Sequence, residues 1–312
     1  MTIYASTKLY LLKLYLSKLI MRILTTLFCC LAISGLFGQY GSEKDDGIIQ
    51  TFRHTRIINA HSVETLPARK LDFRIVHRFG DLAGSNGGFS SFYGLERAAD
   101  VSIGFEYGIT DNVMIGLSRT AGAGPLRQNL NGLFKTKFIS QRENGSPFSV
   151  ALNAISTYST QEASPLENQL TSFTKQAHRL SYNVGLHAAR KFSDSFSFQL
   201  GGSWTFRNLV DTGDQNDIFS VHGGMRIQVT KAFGLIFEAV VPLQDGLREG
   251  TIDYVAPLGI GFEFDTSGGH VFQLNLTNNR GISETDFIPY TTSRWEDASF
   301  RLGFTISRLF SL

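Results

Sequence analysis

The chain has 312 residues, of which 42% are hydrophobic, 18% charged and 12% aromatic, with 26 Phe, 31 Gly and only 7 Pro. So much apolar surface excludes a disordered chain. A mean hydropathy of -0.03, with no long apolar run past the N-terminus, excludes a helical membrane protein; 29 Lys and Arg against 27 Asp and Glu give no footing for nucleic acid.

Residues 1–38 stand apart. Met21-Arg22 opens a short basic head, followed by an apolar stretch from Ile23 to Leu36 and the small residues Ser34, Gly35 and Gly38. This predicts a secretory signal peptide over 1–38, cleaved after Gly38, with Met21 as the true start. A membrane anchor helix is the weaker reading, because the apolar run is short and polar sequence follows at once. Cys29 and Cys30 lie inside the stretch, and Phe28 occupies the place where a lipoprotein needs a small residue. Cleavage removes both cysteines, and with them disulfides, thiolate zinc sites and Cys nucleophiles. It also takes Lys8, Lys13, Lys18 and Arg22 from the 29 basic residues, leaving 25 against 27 acidic.

Residues 39–70 follow. Gln39 to Gly47 is polar, and Gln50 to Leu66 lacks strand alternation. Two readings are open: a periplasmic or lumen-facing segment that acts as a plug, and an ordered lead-in to the first strand.

From residue 71 onward apolar residues alternate with polar or small ones, the period of a strand with two unlike faces. Val101, Ile103, Phe105 and Tyr107 alternate with Ser102, Gly104 and Glu106. Phe196, Phe198, Leu200, Trp204 and Phe206 alternate with Ser197, Gln199, Ser203, Thr205 and Arg207. The pattern predicts about twelve strands, at 71–79, 99–109, 112–120, 131–140, 147–158, 177–192, 195–207, 217–229, 233–242, 253–265, 269–277 and 298–310. An even count is what a single-chain bacterial barrel requires.

The connections between these strands alternate long and short. The long ones are 80–98, 121–130, 159–176, 208–216, 243–252 and 278–297; the short ones centre on Thr110-Asp111, Arg142 to Ser146, Ser193-Asp194, Thr230 to Ala232 and Thr266 to Gly268. Outer-membrane barrels have short periplasmic turns and longer outside loops. The reading is therefore all-β: a closed antiparallel transmembrane β-barrel over 71–312, in the outer membrane of a Gram-negative bacterium. Its apolar face meets lipid, and Leu200 is expected there while Gln199 faces the lumen. A soluble β-sandwich explains the alternation equally well but leaves loop parity and signal peptide as coincidences. Phe79, Phe192, Phe196, Phe206, Phe233 and Phe264 suit interfacial girdles. The closing Leu309-Phe310-Ser311-Leu312 suits engagement by the outer-membrane assembly machinery, the expected partner besides membrane lipid.

Arg74, Arg78, Lys135, Lys137, Arg179, Arg207, Arg226 and Arg301 fall on the inward face. So do Asp72, Asp100, Glu106, Glu238, Glu263 and Asp265. Lys135, Lys137, Arg226 and Glu238 sit mid-strand, so together they predict a mildly anion-preferring constriction. His187, His222 and Glu263 complete the candidate lumen lining. No Gly-x-Ser-x-Gly elbow is present, and an inward Ser181 or Ser220 beside His187 or His222 would be needed for catalysis. No catalytic residue, metal ligand or cofactor is expected; Asp211 to Asp217 reads as a solvated turn rather than a calcium loop.

The segments TRIINAHSVETL (55–66), LDFRIVHRFGD (71–81) and FYGLERAADVSIGFEYGITDNVMIG (92–116) resemble an uncharacterised family of outer-membrane β-barrels, a domain of unknown function. ARKFSDSFSFQL (189–200), GGHVFQLNLTNNRG (268–281) and RLGFTISRLF (301–310) extend the likeness. The resemblance implies a barrel and an outer-membrane location, and brings no substrate and no site residues. Three functions compete: a narrow channel or transporter for small solutes, a closed structural or docking barrel, and a barrel hydrolase acting on lipid.

Overall fold

The computed structural model describes residues 47–312 except 97–99, 123, 167–168, 244–251 and 267–269. The expected signal peptide lies outside the described residues, as does the side chain of Asp265. Alternation of branched and aromatic residues with small polar ones produces β1 (Lys70–Arg78), β2 (Asp100–Thr110), β3 (Val113–Ala121), β4 (Gln128–Ile139), β5 (Ser149–Ser159) and β6 (Leu180–Ser193). The second half repeats it in β7 (Phe196–Arg207), β8 (Asp217–Gln228), β9 (Phe233–Pro242), β10 (Leu258–Thr266), β11 (His270–Thr277) and β12 (Arg301–Ser311).

Each strand pairs antiparallel with its neighbours in sequence, and β1 pairs with both β2 and β12. Ile75, for example, sits opposite Ile103 on one side and Ile306 on the other. Closure leaves no strand edge unpaired, the condition for spanning hydrocarbon with strands. The register puts Ile103, Phe105, Leu117, Leu200 and Phe262 outside, each at least 40% exposed. It turns Ser102, Glu106, Asn153, Asn183, Gln199 and Thr205 inward, where all are buried. A polar interior with an apolar exterior inverts the arrangement of a water-soluble domain, which rules out the sandwich.

Aromatic pairs mark both ends. Phe192 and Phe196 lie 5.8 Å apart, and Phe233 and Phe264 5.0 Å apart, beside the short turns. Trp204 and Phe206, at 5.7 Å, mark the other end. No helix of the described residues is long and apolar enough to cross a membrane.

Four sequence expectations are corrected. Loop parity is not strict: β3 joins β4 through 122–127, whereas β4 joins β5 through the longer 140–148. The extra residues there pair with the incoming N-terminal segment, through an Ile48–Arg142 bridge and an Ile49 N–H donated to the Gln141 carbonyl at 2.9 Å. β10 begins at Leu258 rather than 253, just after Pro257, which has no N–H to give the ladder. Likewise β12 begins at Arg301 rather than 298. Arg179 belongs to a 3-10 turn before β6, and its guanidinium donates to the Ser159 and Gln161 carbonyls instead of lining the lumen.

Candidate functional site

The lumen is occupied. Residues 51–66 run inside the barrel, and between Thr55 and Ser62 they double back as a tight hairpin. Ser62 donates its N–H to the Thr55 carbonyl at 3.0 Å, and Ile57 to the Ala60 carbonyl at 2.9 Å. Local composition permits the reversal, since Asn59 and Ala60 at its tip are small or turn-forming.

Backbone groups of this inner segment would be orphaned in a dry lumen. Wall side chains satisfy them one by one. At the tip, Glu238 of β9 accepts N–H bonds from Ile58, Asn59 and Ala60, each at 2.9 Å. Gln273 donates to the Ile57 carbonyl at 3.0 Å, Gln199 to the His61 carbonyl at 2.8 Å, and Lys135 to the Thr55 carbonyl at 2.9 Å. Arg78 donates to Asn59 Oδ1. Further down, Glu64 accepts from the Thr51 and Phe52 amides at 2.7 and 3.2 Å and pairs with Lys137 at 3.1 Å. Arg56 stands 3.6 Å from Glu106 of the wall.

Apolar contacts supplement these. Phe52, Ile57, Ile58 and Val63 cluster with wall residues Ala151, Ala189 and Ile236. Gly224 of β8 makes room for Ile57: a Cβ there would fall 2.1 Å from the Ile57 Cδ1 atom.

Against the tip of the hairpin lies α1 (Glu284–Tyr290), from the β11–β12 connection. Its Phe287 and Ile288 pack on Ala60 of the hairpin and on wall residues Ile218 and Val240. Its Glu284 lies 3.5 Å from Arg56. A cavity of about 50 Å³ remains between hairpin and wall, bordered by Arg56, Asn59, Arg74, Glu106 and Asn131. That space suits water and not an organic solute.

All seven candidate lining residues point inward, but they do not form one constriction. Glu238, Lys135 and Lys137 hold the inner segment. Arg226 and Glu263 pair with each other within the wall. His187 bonds Asn153 at 2.8 Å, and His222 meets Ser203 at 2.8 Å and Ser220 at 3.1 Å. Sequence reasoning placed Ser220 near a histidine but passed over Ser203. A nucleophilic pair needs the far nitrogen of the histidine held by a third group. The His222 Nδ1 atom is buried with no hydrogen-bond partner among the described residues, so no third group stands behind this contact there. Among the described residues no group of three or more His, Cys, Asp or Glu could hold a metal.

Asp286 of α1 carries a pH dependence. Burial, with the Asp100 carboxyl near and Arg280 opposing, pushes its pKa up from 3.8 to about 7. An acid whose packed-state pKa is raised favours packing in its neutral form. That contribution is fully present below pH 3.8 and is lost as pH rises towards about 7. Proteolysis of the 278–300 loop should therefore quicken across that window. Asp286→Asn should flatten the profile; an unchanged profile would separate Asp286 from the packing of α1.

A closed strand meander with lipid-facing apolar residues and a polar lumen defines a β-barrel membrane protein. The chain belongs to the family of membrane-bound beta barrel domains DUF5777, whose pattern matches residues 52–310. The match includes most of the inner segment, so segment and wall form one family unit. No curated protein sequence matches the chain. Solved structures of similar shape include the NanC porin, at 6% identity and TM-score 0.45, covering 78% of this chain and 99% of that one. Another is the COG4313 outer membrane channel from Pseudomonas putida F1, at 13% identity and TM-score 0.46, covering 80% and 98%. Outer membrane phospholipase A from Escherichia coli is similar at 11% identity and TM-score 0.43, covering 78% and 91%. At such identity and overlap these likenesses say nothing of what this barrel does.

Proposed function

We propose that the protein is an outer-membrane channel for small solutes, held shut by residues 48–66 acting as a plug. One observation carries the reading: the lumen is filled by a segment that is not part of the wall and whose backbone is bonded to polar wall side chains. Such bonds exchange readily for water, because the net gain of each is only about 0.5–1.5 kcal/mol. Residues 67–69, all exposed, join the segment to β1, with Ala68 donating its N–H to Asp111 at 2.9 Å and Arg69 to the Gly108 carbonyl at 2.8 Å. The second reading is a closed scaffold, in which the same wall side chains serve only to satisfy the backbone groups of the segment. That second reading is favoured by the apolar cluster around Phe52 and Ile57, which resists withdrawal. Liposome swelling separates the two. Vesicles holding the full chain should swell slowly in a small sugar, and those holding a chain without residues 48–66 quickly. Slow swelling by both would leave the scaffold.

A further inference from the structure

Three wall cations keep a carboxylate partner outside the plug. Arg74 keeps Asp72 of its own strand at 2.9 Å, Arg226 keeps Glu263, and Arg207 keeps Asp214 of the neighbouring loop at 2.9 Å. These pairs survive departure of the plug. Lys135 and Lys137 differ. They sit two apart on β4 and so face the lumen together. Their partners both belong to the plug: the Glu64 carboxylate at 3.1 Å for Lys137, and the Thr55 carbonyl at 2.9 Å for Lys135. Among the described residues no wall carboxylate forms an ion pair with either ammonium.

We infer that Lys135 and Lys137 form the solute-binding step of the pore and take a carboxylate-bearing solute, whose place Glu64 holds in the closed state. The inference rests on the channel reading and adds a substrate class to it. Two adjacent ammoniums emptied together repel each other, and burial makes an unpaired charge costly. An incoming carboxylate relieves both. The nearby wall carboxylate is Glu106 of β2, which also loses its plug partners Thr55 and Arg56. With Arg74 and Asp72 counted, three cations then face two carboxylates, so the patch stays positive. Asn131 and Asn153, on the inward faces of β4 and β5, add uncharged hydrogen-bonding groups for hydroxyls of the same solute.

The Glu64 carboxylate shows how an occupant is held. One oxygen takes the ammonium of Lys137, and the other takes two backbone amides of the plug itself. A free carboxylate has no such internal donors, so it would draw on both lysines instead.

The test is planar-bilayer recording of the chain lacking residues 48–66, with citrate as probe. Reversal potentials in a salt gradient should favour anions, and citrate should block the chloride current. Lys135→Gln with Lys137→Gln should weaken that block by about tenfold or more, the equivalent of one lost charge-assisted contact. A conducting pore that favours cations, or whose citrate block is unchanged in the double variant, overturns the inference and leaves the channel standing. A folded barrel that does not conduct overturns both. Should the deletion fail to fold, the full-length Glu238→Ala chain replaces it, and a citrate block of its currents that Lys135→Gln with Lys137→Gln leaves unchanged overturns the inference.

Discussion

Glu238→Ala should loosen the tip of the plug more than any other single change in the wall. The carboxylate accepts from three successive amides at 2.9 Å, and it is only 6% exposed. Alanine leaves three buried donors without an acceptor. With each such donor costing about 1–3 kcal/mol, and part of that recovered by entering water, docking of the hairpin should weaken by roughly 3–5 kcal/mol. Amide exchange at Ile58, Asn59 and Ala60 should accelerate accordingly, while strand amides of β9 stay protected. Glu238→Gln keeps an acceptor oxygen and should lose less. Equal exchange in wild type and Glu238→Ala would mean that the tip is held by other contacts.

Leu200→Arg should cost the barrel about 2–4 kcal/mol, the penalty for a cation near the middle of the lipid-facing surface. Leu200 lies in the interior of β7 and is 54% exposed on the outer face. Equilibrium unfolding in lipid vesicles would measure the loss. The neighbouring Gln199→Arg looks harmless from sequence, because the position faces the lumen. It is only 1% exposed, and its amide holds the His61 carbonyl at 2.8 Å. An arginine there should spare the outer surface and press on the plug, so its effect should appear in conductance before stability. A Leu200→Arg barrel as stable as wild type would mean that this face of β7 does not meet hydrocarbon.

These two positions show how far the sequence could be read. The period of two told which of Leu200 and Gln199 faces inward, since one face must suit lipid and the other cannot. Strand edges were legible where turn chemistry is sharp, as at Phe233–Pro242, which matches residue for residue. They were less legible at β4, where Gln128-Asn129 reads as loop yet continues the ladder opposite Ser159 and Ala121. Polar residues at a strand start are ambiguous when the lumen itself is polar.

The choice between plug and lead-in for residues 39–70 stayed open in the sequence for a different reason. Lys135, Gln199, Gln273 and Glu238 all bind backbone atoms of residues 55–61, and backbone atoms carry no sequence signature. The side-chain signal was slight: Glu64 is the lone acid between Gly47 and Leu71, and Lys137 was the cation waiting for it. The apparent constriction of Lys135, Lys137, Arg226 and Glu238 proves to be three receptors for the inner segment and one internal wall pair.

Single-channel recording of the intact chain beside the chain lacking residues 48–66 tests the account most directly. The intact barrel should stay closed for long intervals, because the inner segment occupies the lumen and the cavity of about 50 Å³ beside it admits water and not an organic solute. The shortened barrel should carry a steady current from the moment it inserts. Silence from a folded, inserted barrel without the segment would contradict the account, and so would equal currents from the two chains.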